Sequence, residues 1–444
     1  MQLKDKPSLR LALAAASCAL LADHPVDASE SNNWIIDAGV LYYDEKDRVS
    51  IIEPVVIGTL KYNDEDYVSV RVVNDTMTGA SPTGASVSNE EQNIPAQTST
   101  SASGSAGGNT HINVKPNELP LSDFSDERNS IAVDWQKAYS RNFRTILGGS
   151  FSDENDYRSF GSSINFQRDT ADKLTTFTLG LALSLDLVGG RSEVPEPLVV
   201  LVNQDVVNSD DDDDDHDDDN DDDHDDIPRE KKWLTDVIVG VTQVVSRRIL
   251  TQLNYGLGRS TGYLSDPYKM LSRVNSSSGK TIDYLSERRP DSRIRQTIFW
   301  KTVFHLPSDV IHLTYRYYWD DWSISSHTAE IKYRFNAGNH LYFMPNFRYY
   351  KQSGAEFFKY SLLNDAALPN YASADLRLAP MQSTTTGMKV GYDFSQDMTA
   401  SLRVEYMQQW GEDTPSEAVG LQRQLTLFPK LEVMMYTFSF SMSF

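Results

Sequence analysis

A chain of 444 residues with a mean hydropathy of -0.45 and a formal charge of -22 contains no apolar run of the roughly 18 residues that a membrane helix needs, which excludes a helical membrane protein. The charge is concentrated in one place: 14 aspartates between Asp210 and Asp226 leave only about -8 on the remainder, and no basic face points to a nucleic-acid partner. Yet Phe, Trp and Tyr make up 11% of the chain, and an aromatic-rich, polar composition is that of a transmembrane β-barrel, in which inward-facing polar residues dilute the outward apolar ones.

In chain order, Lys4, Lys6 and Arg10 precede a short apolar core at 11–22, and Val26-Asp27-Ala28 supplies the small residues of a cleavage site. Residues 1–28 therefore read as a secretory signal peptide, with Ala22 the second cleavage position, and 29–444 as the mature chain. The single cysteine, Cys18, falls inside the leader, so the mature chain has no disulfide framework or thiolate metal site. A lipoprotein reading of Cys18 lacks the Leu expected three residues earlier.

Period-two alternation of apolar and polar residues marks the strands. It predicts them at 34–43, 49–60 and 67–74, then at 131–139, 143–152, 157–167 and 174–187, and next at 233–246 and 249–263. Further strands are predicted at 293–304, 310–319, 327–335, 341–351, 384–394 and 398–410, with a closing strand at 433–444. In that last stretch Tyr436, Phe438, Phe440, Met442 and Phe444 alternate with Thr437, Ser439, Ser441 and Ser443. Such an ending, on an aromatic, resembles the closing strand that the barrel assembly machinery recognises. The total is about 16, an even number that suits a single antiparallel up-and-down barrel. Of the seven tryptophans, Trp34, Trp135, Trp233, Trp319, Trp322 and Trp410 lie near strand ends, as interfacial girdles require, while Trp300 fits an ordinary core aromatic best.

Connection lengths sort by parity. The seven connections after even-numbered strands are short, whereas the long ones, at 75–129, 188–232, 264–292, 352–383 and 411–428, all follow odd-numbered strands. Short periplasmic turns with long extracellular loops are the asymmetry of outer-membrane barrels. Residues 75–129, rich in Ser, Thr, Gly, Asn and Pro, read as a partly disordered low-complexity loop, and 188–232 as a second loop holding the aspartate run.

If the apolar phase faces lipid, the other phase of the second half places Arg293, Arg295, Lys301, Arg316, Lys332, Arg334, Arg348, Lys389 and Arg403 in the lumen, with Glu330, Asp393 and Glu405 among them. Such a stripe either biases the ions that enter a pore or forms a ladder of salt bridges that fills the barrel. In the acidic run, Asp210, Asp211, Asp212, His216, Asp217, Asp221, His224 and Asp225 offer oxygen and imidazole ligands for loose divalent-cation capture. The run has no Gly turn and repels itself, so a solvated polyanion is the plainer reading. Catalysis would need His305, His312, His327 or His340 beside a nucleophile; their strand positions separate them, and no G-x-S-x-G occurs. No C-x-x-C-H or other cofactor attachment motif appears either. The expectation is a protein that is not an enzyme and has no cofactor, other than a divalent cation at the acidic run.

Several stretches resemble the bacterial domain of unknown function 3570 family. They include Tyr42-Tyr43-Asp44-Glu45-Lys46-Asp47-Arg48-Val49, Thr78-Gly79-Ala80-Ser81-Pro82, Asp266-Pro267-Tyr268-Lys269, Glu287-Arg288-Arg289-Pro290-Asp291-Ser292-Arg293, and Tyr315-Arg316-Tyr317-Tyr318-Trp319-Asp320-Asp321-Trp322 leading to Ser326-His327-Thr328. The resemblance implies an outer-membrane barrel and leaves the biochemical role open; genes beside flavin transferases and thioredoxin-like proteins imply envelope redox partners. Asp44, Glu45, Asp47, Arg48, Asp266, Tyr268, Arg289, Asp291, Asp320, Asp321 and His327 lie at outer strand ends and loop starts. They are expected to meet as a polar collar at one rim. The sequence thus reads as a channel or the membrane component of an envelope complex. The alternatives are a plugged scaffold that docks redox partners and, more remotely, a barrel hydrolase.

Overall fold

The computed structural model describes residues 34–95, 111–189, 195–201 and 229–444. The predicted signal peptide, Cys18 and the aspartate run lie outside the described residues.

Twenty-one strands form among the described residues. In chain order they are β1 (Trp34–Glu45), β2 (Val49–Lys61), β3 (Tyr67–Pro82), β4 (Gln92–Pro95), β5 (His111–Val114), β6 (Leu121–Ser140), β7 (Phe143–Asp153), β8 (Tyr157–Asp169), β9 (Thr175–Val188), β10 (Glu230–Ser246) and β11 (Ile249–Gly262). Then come β12 (Met270–Val274), β13 (Thr281–Ser286), β14 (Ser292–His305), β15 (Val310–Asp320), β16 (Ser325–Ala337), β17 (Leu341–Gln352), β18 (Leu362–Leu363), β19 (Met381–Ser395), β20 (Met398–Gly411) and β21 (Leu431–Ser443). Sixteen of these close into one antiparallel barrel. The remaining five, β4, β5, β12, β13 and β18, lie in the long connections.

Closure is made by β1 against β21, in register from Ile35↔Ser443 to Glu45↔Val433. It leaves the barrel without a free sheet edge, the only arrangement of strands that satisfies every backbone group in hydrocarbon. Strand prolines sit where the ladder can spare a donor. The β2–β3 ladder skips Glu53 and Pro54, and the β16–β17 ladder skips Tyr333 and Arg334 beside Pro345, with the register kept on both sides.

The two phases of each strand separate cleanly. On β9, Phe177, Leu179 and Leu183 are 54%, 49% and 47% exposed, whereas Thr178, Ser184 and Asp186 on the alternate phase are buried. Directly opposed residues of an antiparallel pair share a face, and following the registers round the ring returns to the same phase. The outward phase is an apolar surface with aromatics at its ends, among them Trp34, Trp135, Tyr139, Trp233 and Phe444. Two tryptophans depart from the expectation. Trp300 is no core aromatic; it is exposed on the outer face, its indole N–H donating to Thr251 Oγ1 at 3.1 Å. Trp322 belongs to no girdle, being buried edge-on against Phe357 at 5.0 Å.

The largest difference from the sequence reading lies in the long connections. The expected loop 75–129 begins and ends as sheet: β3 runs on to Pro82 and β6 starts at Leu121, paired from Asn74↔Asn129 to Pro82↔Leu121. This β3–β6 ribbon, flanked by β2 as far as Val49↔Gly79, stands beyond the apolar band, so its sequence shows no apolar alternation to reveal it. Farther along the same connection β4 pairs with β5, and within the other long connections β12 pairs with β13 and, in parallel, with β18. Together the long connections bury hydrophobic cores of their own, one built on Trp322, Phe357, Phe358, Leu378 and Phe428 and another on Ile94, Val114, Met270 and Tyr284. They form a folded cap at one end of the barrel, while the connections at the other end remain tight turns.

Candidate functional site

The cap crosses the mouth. A ring of 16 tilted strands at ~4.8 Å spacing is roughly 30 Å across, and the β3–β6 and β11–β14 connections leave it from nearly opposite sides. They nevertheless touch: Met270 N–H donates to the Thr83 carbonyl at 2.9 Å, Lys269 Nζ lies 3.2 Å from Ser81 Oγ and also donates to the Pro82 carbonyl, and Ser86 N–H donates to Ser272 Oγ at 2.9 Å. The Ser86 hydroxyl donates in turn to the Tyr360 carbonyl of the β17–β19 connection at 2.6 Å. Gly84 has φ +93°, and a Cβ there would fall 2.4 Å from the Met270 carbonyl oxygen. Only glycine lets the two loops approach so closely.

Where the cap meets the rim, six charged side chains interlock. Arg289 Nη2 donates to Glu287 at 3.1 Å and to Asp375 at 2.9 Å; Arg377 bonds Asp266 at 2.7 Å and also Asp375, on which its backbone N–H donates at 3.0 Å. Lys269 completes a set of three cations and three carboxylates, with Glu287, Asp375 and Lys269 buried. Burial alone would raise Asp375, yet Arg377 and Arg289 beside it hold its carboxyl well below the usual carboxylate range. Asp266 is depressed in the same way, burial being outweighed by Lys269, Arg377 and Arg289. Glu287 is pushed up by burial despite Arg289. A small cavity lined by Glu45, Arg48, Lys269, Asp375, Arg377 and Phe428 lies against this cluster.

The expected collar is therefore split. Glu45, Arg48, Asp266 and Arg289 gather at the junction, and sequence reasoning missed their partners Lys269, Glu287, Asp375 and Arg377, which lie up to 111 residues away along the chain. Tyr268 instead donates its hydroxyl to Asp156. Asp320 organises the next turn, accepting from Trp322 N–H at 3.0 Å and Ile324 N–H at 2.9 Å and pairing with Arg293 at 2.5 Å, while Asp321 accepts from Ile294 N–H at 2.9 Å. Asp291 gives only its carbonyl, to Gly262 N–H, and Asp47 occupies a tight turn at φ 57°. Asp44 and His327 fall on the outward phase, where His327 Nδ1 lies 2.7 Å from Tyr315 Oη.

Below the cap, the registers put all twelve lumen candidates on the inward phase. Lys332 pairs with Glu330 at 3.1 Å, Arg334 with Asp393 at 3.8 Å, Arg403 with Glu405 at 3.9 Å and Arg295 with Asp236 at 3.7 Å. Arg334 also stacks 3.9 Å over the Tyr342 ring. From β14 to β20 the inward phase thus carries nine cations, Arg293, Arg295, Lys301, Arg316, Lys332, Arg334, Arg348, Lys389 and Arg403, against Asp320, Glu330, Asp393 and Glu405. From β1 to β11 the balance reverses. Ten carboxylates, Asp37, Glu45, Glu53, Asp75, Asp126, Asp134, Asp169, Asp186, Glu230 and Asp236, face Lys61, Arg71, Arg128, Arg144 and Lys232.

The cation-capture candidates Asp210, Asp211, Asp212, His216, Asp217, Asp221, His224 and Asp225 lie outside the described residues. A different carboxylate group appears at the outer end of β6, where Asp126, Glu154 and Asp156 bring oxygens within 4.8 Å of one another. Asn155 donates to Asp126 at 3.0 Å and Tyr268 to Asp156. Burial, Asp126 and Asp156 together push Glu154 up to about 8 against the pull of Arg128. The four histidines weighed for catalysis do not converge. His312 is inward beside Lys332, His340 sits in a short turn with Nδ1 2.8 Å from the Asp393 carbonyl, His305 ends β14 at the same face, and His327 points outward.

A family model described as a protein of unknown function (DUF3570) matches residues 10–442. Among curated proteins none matches the chain. Solved structures similar to it include a bacterial polysaccharide outer membrane secretin (7% identity, 94% of this chain and 100% of that one, TM-score 0.44) and OccD3 (OpdP) from Pseudomonas aeruginosa (9%, 93% and 91%, TM-score 0.41). The siderophore receptor PirA from the same organism is similar too (6%, 93% of this chain, TM-score 0.40), and the chain spans about 62% of that receptor's length.

Proposed function

The chain belongs to the DUF3570 family, and on the geometry of its mouth and lumen we propose that it is an outer-membrane channel whose external mouth is closed by a folded cap. Placement in the outer membrane is supported by the closed sheet, its apolar outer surface and the sorting of long and short connections to opposite faces. It carries the lipid of that membrane and the barrel assembly machinery as expected partners. The observation that carries the channel reading is the contrast in solvation along the lumen. Lys332 and Arg403, midway along β16 and β20, each keep 27% of their side chains exposed, whereas Glu287 and Asp375 under the cap keep 1% and 4%. A barrel packed solid by salt bridges would desolvate both levels alike.

Planar-bilayer recording tests this. The full chain is expected to pass small currents, and Arg377→Ala, which loosens the cap, larger ones. Silence from both proteins overturns the channel. A second reading, a plugged scaffold that docks envelope redox partners, is favoured by the hydrogen bonds that cross the mouth. Silence in bilayers together with recovery of thioredoxin-like or flavin-bearing proteins from detergent extracts would establish it.

A further inference from the structure

Seen down the barrel, the inward charges are not mixed. The β14–β20 wall carries five more cations than carboxylates, and the β1–β11 wall, leaving out Glu45, Asp75, Asp126 and Arg128 at the cap and ribbon, three more carboxylates than cations. Ion pairs within each wall cancel much of the local charge but leave a residue of opposite sign on each side. Lys301, Arg348 and Lys389 have no salt-bridge partner among the described residues, and neither do Glu53 and Asp134 on the other wall. Glu53 on β2 and Lys301 on β14 are eight strands apart in a ring of sixteen, so they stand on opposite sides of the lumen. Asp134 and Arg348 are nearly as far apart. Charges of opposite sign on facing low-dielectric walls set up a field across the pore rather than along it.

We propose that this lumen selects solutes with separated positive and negative ends, such as amino acids or short peptides, over uncharged solutes of the same size. The inference rests on the channel reading. A transverse field does no net work on a lone ion moving along the axis, so it confers little preference between cations and anions. It does orient a zwitterion, whose two ends are stabilised by opposite walls. Removing one wall's surplus unmasks the other.

Reversal potentials in a salt gradient test the field, measured on whichever of the full chain and Arg377→Ala conducts. The unsubstituted lumen is expected to give a potassium-to-chloride permeability ratio within about twofold of one. Lys301→Gln with Arg348→Gln should move it roughly threefold or more toward potassium, and Glu53→Gln with Asp134→Asn as far toward chloride. In swelling assays triglycine should enter proteoliposomes about threefold faster than a monosaccharide of similar mass, and at the same rate once both walls are neutralised. Current with no opposed shifts, or with no preference for triglycine, overturns this inference and leaves the channel standing. Absence of current from both proteins removes the channel and this inference with it.

Discussion

Single side chains hold the cap to the barrel, and two of them make its stability testable. Gly84 lies where a Cβ would press on the Met270 carbonyl. Gly84→Ala is therefore expected to weaken the cap by about 1–3 kcal/mol, the ordinary cost of overpacking with backbone strain. Faster protease cleavage in the 263–291 connection, with the barrel itself intact, is the measurement. Asp375 answers to pH: Arg377 and Arg289 outweigh its burial and hold its carboxyl far below the value of an unfolded chain. A depressed carboxylate contributes stability that is full above the unfolded value near ~3.9 and is lost as pH falls toward the folded one. The cap should therefore loosen below about pH 4, before the barrel does, and Asp375→Asn should shrink that acid-dependent step to the part that Asp266 supplies. Protease accessibility of the cap that stays flat down to pH 2 in the unsubstituted protein would contradict the assignment.

Among elements, those that cross the barrel and those that cap it were written into the sequence in different ways. All sixteen barrel strands were legible, because each must show an unbroken apolar face outward and so repeats every two residues for as long as the band is wide. The cap was not, since Ile94, Met270, Leu271, Phe358 and Leu378 bury themselves against residues far along the chain with no period. For the same reason Asp266 and Arg289 could be picked out as rim residues while Glu287, Asp375 and Arg377 could not. The β3–β6 ribbon escaped notice because a sheet extension above the apolar band has no greasy phase to announce it. That ribbon ends beside Glu154, whose carboxyl is raised to about 8 by burial and by Asp126 and Asp156. A raised carboxyl contributes stability below its unfolded value near ~4.3 and loses it as pH rises through the folded one. Amide-exchange protection in 75–82 and 121–129, corrected for intrinsic rates, is expected to fall between about pH 4 and pH 8 and to fall less in Glu154→Gln.

At the scale of the whole molecule, everything depends on the first and last barrel strands meeting. The parity of the connections argues for an even count, but parity would survive in an open sheet; the ladder from Ile35↔Ser443 to Glu45↔Val433 would not. Gly39 and Ser439 face each other across this seam, and a Cβ built on Gly39 lies 3.8 Å from the Ser439 hydroxyl oxygen. Opposed Cβ atoms in an antiparallel pair come within the range a disulfide spans, and the only native cysteine, Cys18, lies in the predicted leader. Gly39→Cys with Ser439→Cys should therefore oxidise to a single intramolecular bridge in the folded protein, seen as a mobility shift after boiling that reductant reverses. The hairpin pair Ser401→Cys with Ser439→Cys, opposed between β20 and β21, serves as the control because it forms whether or not the sheet closes. Oxidation of the hairpin pair without the seam pair would mean that the sheet is open, and the wall charges would then have no lumen to face.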